Sequence, residues 1–155
     1  MKKKDAKRGL VVAVCRSEQT GVPKTPCGEG LFLEDYGMEA DAHASQGIAR
    51  QVSLLSEASI DKMQGKGIEL KPGDFAENLT IRGLELFTIP VGTRMQVGAD
   101  VILEISQIGK QCHHGCAIFQ IVGSCIMPKE GVFARVIKGG MIRTGDEVLL
   151  LAEAD

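Results

Sequence analysis

Short apolar runs separated by glycine-rich turns constrain this chain more than any other feature of its sequence. Runs that are rich in β-branched residues and bounded by glycine or proline predict β-strands, and a succession of short strands favours a sandwich or a barrel. The runs cover residues 10–15, 30–33, 51–55, 78–81, 94–98, 101–106, 132–137 and 147–151. They are spread evenly over 155 residues, a length that suits one domain. We therefore expect a mainly β fold with a few short helices, forming a single domain over residues 1–155.

Two segments have the features of short helices. Ser56 suits an N-cap for residues 57–64, and glycines follow directly after this stretch. Residues 112–122 place cysteine and phenylalanine side chains at helical spacing. These two segments are the predicted helices.

The charge and the composition argue against several classes of protein. The formal net charge is −2 and aromatic residues make up 4% with no Trp, so the chain lacks both the charge and the stacking surfaces that bind nucleic acids. The basic residues 1–8 are expected to be a frayed terminus. No window approaches the roughly 20 apolar residues of a membrane helix, and no secretory signal is visible. We expect a cytoplasmic protein that binds neither nucleic acid nor membrane.

The densest cluster of reactive side chains is Cys112-His113-His114-Gly115-Cys116. The chain has five cysteines, an odd number that favours thiols or ligands over disulfides in a reducing compartment. Cationic neighbours such as His113, together with the N-terminus of the predicted helix, would favour a thiolate at Cys112. An inert buried cysteine, a structural zinc site and an iron–sulfur cluster stay open as alternatives, although the spacing fits neither metal site well.

Two further groups of polar residues stand out. Asp41 and His43 are two residues apart, so they share a face if the segment is extended, and Arg50 follows. Glu77 and Asn78 interrupt an otherwise strand-like stretch. A hydrogen-bonded turn explains that second pair as well as a binding role does.

Five motifs in order along the chain resemble the MOSC family, a domain also found at the C-terminus of molybdenum-cofactor sulfurases and in stand-alone bacterial proteins. They are Lys24-Thr25-Pro26, Gly37-x-x-x-Asp41-Ala42-His43, Arg50-Gln51-Val52-Ser53-Leu54-Leu55, Leu70-x-Pro72-Gly73-x-Phe75-x-Glu77-Asn78-Leu79-Thr80, and Leu103-Glu104-Ile105-Ser106-Gln107 leading to Cys112. Two positions depart from the family pattern: Ala40 replaces a usual Gly, and Gln111 replaces a frequent Pro. The resemblance implies a MOSC-type β-barrel with a pocket that contains one defining cysteine, Cys112.

The resemblance also implies roles for individual side chains. Cys112 would carry a persulfide or ligate molybdenum, since both need a deprotonated sulfur. Basic side chains would complement the anionic phosphate and dithiolene of the molybdenum cofactor, while the remaining residues would orient them, relay a proton or bond the pterin edge. The implied site consists of Cys112 as the catalytic and metal-binding residue, with Lys24, Asp41, His43, Arg50, Asn78 and His113 as cofactor-binding residues.

The function implied by the resemblance is cofactor maturation or delivery. The chain carries no pyridoxal-phosphate domain and is not expected to bind that cofactor, so sulfur has to come from a cysteine desulfurase or another donor, and the product has to go to a molybdoenzyme or a cofactor-synthesis protein. One alternative is a molybdenum-dependent reductase of N-hydroxylated compounds. Another is a zinc or thiol binding module without cofactor. Exposed strand edges make a homodimer possible.

Overall fold

The computed structural model describes residues 7–19, 22–64, 70–109 and 127–151. Strands dominate this part of the chain, and the predicted mainly β fold with a few short helices is confirmed. The strands are β1 (Arg8–Arg16), β2 (Thr25–Pro26), β3 (Glu29–Leu33), β4 (Gly37–Met38), β5 (Val52–Ser56), β6 (Leu79–Arg82), β7 (Arg94–Val97), β8 (Val101–Ile108), β9 (Val132–Lys138), β10 (Gly140–Arg143) and β11 (Glu147–Leu150). The helices are α1 (Glu57–Gln64), α2 (Met127–Glu130) and a 3₁₀ turn over Leu86–Thr88.

Seven of the strands close into a barrel. Their order is β11-β7-β8-β9-β5-β6-β1, and β1 pairs with β11 to complete the ring. All neighbours in the ring are antiparallel except β5 and β6. That parallel pair needs a crossover connection, which α1 and the residues after it supply. Strand β2 continues the sheet beside the end of β1.

Alternating side chains fill the interior of the barrel. In β8, Val101, Leu103 and Ile105 are buried while their neighbours are half-buried, as a two-residue period requires. The core also draws on the other strands of the ring, through Val11, Val14, Leu54, Leu79, Ile81, Met95, Val97, Val132, Ala134, Val136 and Val148. Each large apolar side chain buried in this way stabilises the fold by roughly 1.5–3 kcal/mol.

A second apolar cluster lies on the outside of the barrel under α1. Ile60 and Met63 of the helix pack with Leu55 of β5 and Phe133 of β9. The helix begins after Ser56, as predicted, but the Ser56 hydroxyl forms hydrogen bonds at and just before the 3₁₀ turn. It donates to the carbonyl of Leu84 at 2.8 Å and accepts from the Leu86 N–H at 3.0 Å, so it ties the end of β5 to the 3₁₀ turn.

A small three-stranded sheet, in the order β10-β3-β4, lies beside the barrel. The sequence predicts the bend at Gly139 and Gly140 but not strand β10 after it, because only two apolar residues, Met141 and Ile142, follow the glycines. Within the described ranges, the helices are all too short to span a membrane.

Candidate functional site

The candidate site lies beside the outward-pointing side chains of β5 and β9, which are themselves buried. Leu54 and Val132 point into the barrel core, so the adjacent side chains Ser53, Leu55 and Phe133 point outward. Ser53 lies opposite Phe133 in the antiparallel register. We call this surface, defined by Ser53, Leu55 and Phe133, the β5–β9 face.

Lys24 and Asp41 form a buried ion pair. The Lys24 ammonium donates to Asp41 Oδ1 at 2.9 Å, and both side chains are completely shielded from solvent. Asp41 also accepts the backbone N–H of Ser17 on Oδ1 and that of His43 on Oδ2, each at 3.1 Å. The structure therefore brings three of the predicted site residues, Lys24, Asp41 and His43, into direct contact.

The charge balance of this pair favours the ionised form of Asp41. Burial alone would raise the pKa of the Asp41 carboxyl, but the hydrogen bond and the charge of Lys24, with the N–H groups of Ser17 and His43, outweigh burial and lower it. A carboxylate that is held ionised neutralises its ammonium partner. The positive charge of Lys24 is consequently matched inside the protein.

Gly73 connects the pair to the loop before β6. The Lys24 N–H donates to the Gly73 carbonyl at 2.7 Å, and the Gly73 N–H donates to Glu77 Oε2 at 3.0 Å. Gly73 has φ +91°, and a Cβ at this position would lie 2.2 Å from the Lys24 carbonyl oxygen. Glycine is therefore required here by both the backbone conformation and the close approach.

Glu77 and Cys15 are buried groups that the sequence does not assign to the site. Glu77 is fully buried, and Thr80 Oγ1 donates to its Oε2 at 2.7 Å; burial raises the pKa of the Glu77 carboxyl. Burial also raises the pKa of the Cys15 thiol to about 12, with a smaller contribution from Glu77, so Cys15 is a neutral thiol. In the sequence, the sign that Glu77 belongs to a site is its position as a charged residue inside an apolar stretch. A hydrogen-bonded turn explains that pattern equally well.

Asn78 is used to join three strands. Its Oδ1 accepts the backbone N–H of Ser53 at 3.0 Å and the Ser53 hydroxyl at 3.2 Å, while its Nδ2 donates to the Cys15 carbonyl at 3.2 Å. The side chain is fully buried. These bonds hold the start of β6 against β5 and β1, and a contact of Asn78 with a pterin stays a prediction.

Arg50 is the exposed cation of the predicted set. Its guanidinium carbon lies 5.9 Å from the centroid of the Phe133 ring, an arrangement that cation–π attraction stabilises. Phe133 follows Gly131 by two residues, and the Gly131 carbonyl accepts the Gly109 N–H at 2.7 Å. Arg50 thus lies beside the β5–β9 face, over a residue that follows closely on the Gly109–Gly131 bond.

The predicted catalytic residue lies outside the described residues. Cys112 and His113, with His114, Cys116 and Cys125, belong to residues 110–126, as does the predicted helix over 112–122. Their roles stay predictions. Within the described ranges, no cluster of three or more His, Cys, Asp or Glu side chains could hold a metal ion.

One family model and several solved structures match this chain. The model of the MOSC domain matches residues 41–149. The YuaD protein of Bacillus subtilis has a similar structure, with a TM-score of 0.81 at 15% identity over 97% of this chain and 99% of that one. YiiM of Geobacillus stearothermophilus gives 0.70 at 19% identity over 93% and 75%, and YiiM of Escherichia coli gives 0.66 at 16% over 96% and 70%. A search of curated proteins found no match.

Proposed function

Because the chain belongs to the MOSC domain family, we propose that it binds the molybdenum cofactor, or carries sulfur for it, with Cys112 as the working thiol. The protein then acts in maturation or delivery of the cofactor. The alternative roles as a reductase or as a zinc module are not favoured by any contact described above.

One observation carries the proposal: Arg50 is exposed and lies over Phe133, two residues after Gly131. The Gly109 N–H donates to the Gly131 carbonyl, and this bond closes the stretch of chain that contains the segment 110–126 and the helix α2. In the sequence Cys112 follows Gly109 by three residues. Under this proposal, a cation and a thiol work together beside the β5–β9 face.

The described residues fit an anionic cofactor in a specific way. Arg50 would hold the phosphate, because a guanidinium offers two parallel donors to an oxyanion. Lys24 fits such a direct role less well, since Asp41 already neutralises it and both side chains are shielded from solvent. Lys24, Asp41 and Gly73 would instead fix the loops around the site.

The chemistry assigned to Cys112 depends on its thiolate. As a sulfur carrier, the Cys112 thiolate attacks the outer sulfur of a donor persulfide; a new S–S bond forms at Cys112, the donor S–S bond breaks, and the donor leaves as a thiolate with no net oxidation. As a ligand, the same thiolate would bind the molybdenum centre, which supplies the redox chemistry when the cofactor is bound. Both roles need a partner protein: a cysteine desulfurase, or a molybdoenzyme or cofactor-synthesis protein.

The proposal is tested with protein purified anaerobically from molybdate-fed cells, by intact mass and by metal and pterin content. We expect the wild type to carry a pterin with molybdenum, or one additional sulfur, and Cys112→Ala to lose it. Cys27→Ala is the matched control, because Cys27 is a partly exposed thiol outside the segment 110–126, and it should keep the adduct. Arg50→Ala should retain about a tenth of any pterin, as expected when a charged hydrogen bond is lost.

Two results would contradict the proposal. If wild type and Cys112→Ala carry the same adduct, or neither carries one, Cys112 is not the working residue. If zinc is bound equally by both, and is lost in Cys116→Ala or Cys125→Ala, the protein is a zinc module.

A further inference from the structure

The two oxygens of the Glu77 carboxyl have different surroundings. Oε2 accepts two hydrogen bonds, from the Gly73 N–H and the Thr80 hydroxyl. Oε1 has no hydrogen-bond partner in the part of the chain that the structure describes. An ionised carboxylate would need several donors to replace the water lost on burial, whereas a neutral acid needs far fewer. Burial outweighs these two hydrogen bonds and those from the N–H groups of Phe75 and Glu77, and it raises the pKa of the Glu77 carboxyl.

The ionisable groups that act on Cys15, a buried neighbour of Glu77, include a single cation. Cys15 on β1 lies close enough to interact with Glu77, and the Cys15 thiol is also influenced by Lys24, Cys27 and Asp74. Lys24 is the only cation among these groups, and Asp41 pairs with it at 2.9 Å. Ionisation of Glu77 would therefore add a negative charge to a region whose nearby cation, Lys24, is already paired.

Glu77 is linked to the Lys24–Asp41 pair by consecutive bonds. Glu77 Oε2 accepts the N–H of Gly73, and the Gly73 carbonyl accepts the N–H of Lys24. The Lys24 ammonium in turn donates to Asp41. Gly73 contributes both its N–H and its carbonyl to this chain of bonds. A movement of the Glu77 carboxyl therefore acts on the loop that contains Lys24.

We propose that Glu77 is a positioning residue whose buried carboxyl keeps its proton to a higher pH than an ordinary glutamate and, through Gly73, fixes the loop bearing Lys24 and Asp41. Loss of the proton drives the carboxylate toward water and loosens that loop. This role of Glu77 depends on contacts within the fold and does not require the cofactor proposed above. The two proposals can therefore fail separately.

The direction of the pH effect follows from linkage. An acid whose folded-state pKa lies above its unfolded value stabilises the fold fully below the unfolded value, about 4.3 for Glu. That stabilisation is lost as the pH rises through the folded-state value. Glu77 therefore makes the protein less stable at higher pH, and a neutral isostere should remove the effect.

The first test follows the Glu77 carboxyl carbon by NMR in the full-length wild type, with its signal assigned by its loss in Glu77→Gln. We expect the signal to stay that of a neutral acid at pH values where exposed glutamates, with the ordinary value of about 4.3, are ionised. A midpoint near the ordinary value of about 4.3 would overturn the proposal. The test does not depend on a stable variant. If every carboxyl signal of the wild type titrates at the ordinary value, the proposal is overturned without any assignment.

The second test measures the protection of the Lys24 amide against hydrogen exchange. About one pH unit above the midpoint that NMR gives for the Glu77 carboxyl, protection should have fallen about tenfold in the wild type and should be unchanged in Glu77→Gln. Glutamine preserves the shape of the neutral acid and its acceptor oxygen. The amide of Gly98, bonded to the Glu147 carbonyl, is the internal control.

Glu39→Gln is the matched control variant, since Glu39 is exposed. It should keep the pH dependence of the wild type. Equal pH dependence in the wild type and in Glu77→Gln would assign the effect to another group and overturn the proposal.

Discussion

The ion pair between Lys24 and Asp41 is the residue-scale feature with the largest energetic consequence. Two charges that are removed from water are stabilised only by each other and by their hydrogen bonds, and Asp41 has two backbone N–H donors besides Lys24. Because the pKa of Asp41 is lowered in the fold, its stabilisation is present above the unfolded value of about 3.9 and is lost as the pH falls through the folded value. At acid pH the ion pair between Lys24 and Asp41 should therefore break.

Breaking the pair from one side should be strongly destabilising. We expect Lys24→Met or Asp41→Asn alone to lower the free energy of unfolding by about 3–5 kcal/mol at neutral pH, because one buried charge remains unpaired. The double variant should lose at least about 1 kcal/mol less than the sum, as measured by denaturant unfolding in a double-mutant cycle. The exposed pair of Arg143 and Glu29 is the control, and its removal should cost less than about 1 kcal/mol. Additive losses at Lys24 and Asp41 would contradict the pairing.

At the scale of elements, the turn that presents Asp41 carries backbone strain. The Asp41 N–H donates to the Met38 carbonyl at 3.1 Å, which closes a four-residue turn. Its third residue, Ala40, has φ +68°, a conformation in which glycine is preferred. Ala40 is also the position at which the sequence departs from the glycine usual in the family. Alanine still forms the turn, but it adopts this positive φ at a higher free-energy cost than glycine.

Restoring glycine should stabilise this turn. We expect Ala40→Gly to raise the free energy of unfolding by about 1 kcal/mol, or the melting temperature by about 2–4 °C, since the exposed alanine loses no packing. Ala58→Gly is the matched control, because Ala58 is exposed in α1 and glycine should destabilise the helix by about 1 kcal/mol. If both substitutions destabilise the protein, Ala40 is not strained.

The elements that could be predicted from the sequence are those fixed by local patterns. The runs that became β1 and β8 alternate or are continuously apolar, and α1 has clear signals at both ends. Strand β10 and the parallel pairing of β5 with β6 depend on partners far along the chain. The family resemblance grouped Lys24 and Asp41 in one site and let Asp41 orient a basic group, but their buried ion pair depends on contacts between distant parts of the chain. The local signal at Glu77, a charged residue inside an apolar stretch, did not predict burial, because such a residue is usually exposed.

At the scale of the molecule, closure of the ring makes the first and last strands interdependent. Val148 of β11 is fully buried and lies opposite Gly9 of β1 on one side and Val97 of β7 on the other. If β11 is lost, both neighbours become open edges and the interior is exposed along the whole seam. The barrel should therefore unfold as one cooperative unit, as the single-domain prediction requires.

Val148→Asp tests this cooperativity. A buried, unpaired carboxylate should cost more than about 4 kcal/mol, and hydrogen exchange should show lost protection across the ring, including the Asn78 amide bonded to the Ser53 carbonyl. Val91→Asp introduces the same charge at a position that is 58% exposed, so its effect should stay within about 0.5 kcal/mol. Loss of protection confined to β11 and its two neighbours would mean that the rest of the ring holds without closure. In that case the pairing of β5, β6 and β9 would be an independently stable unit, and the β5–β9 face would not depend on the C-terminal strand.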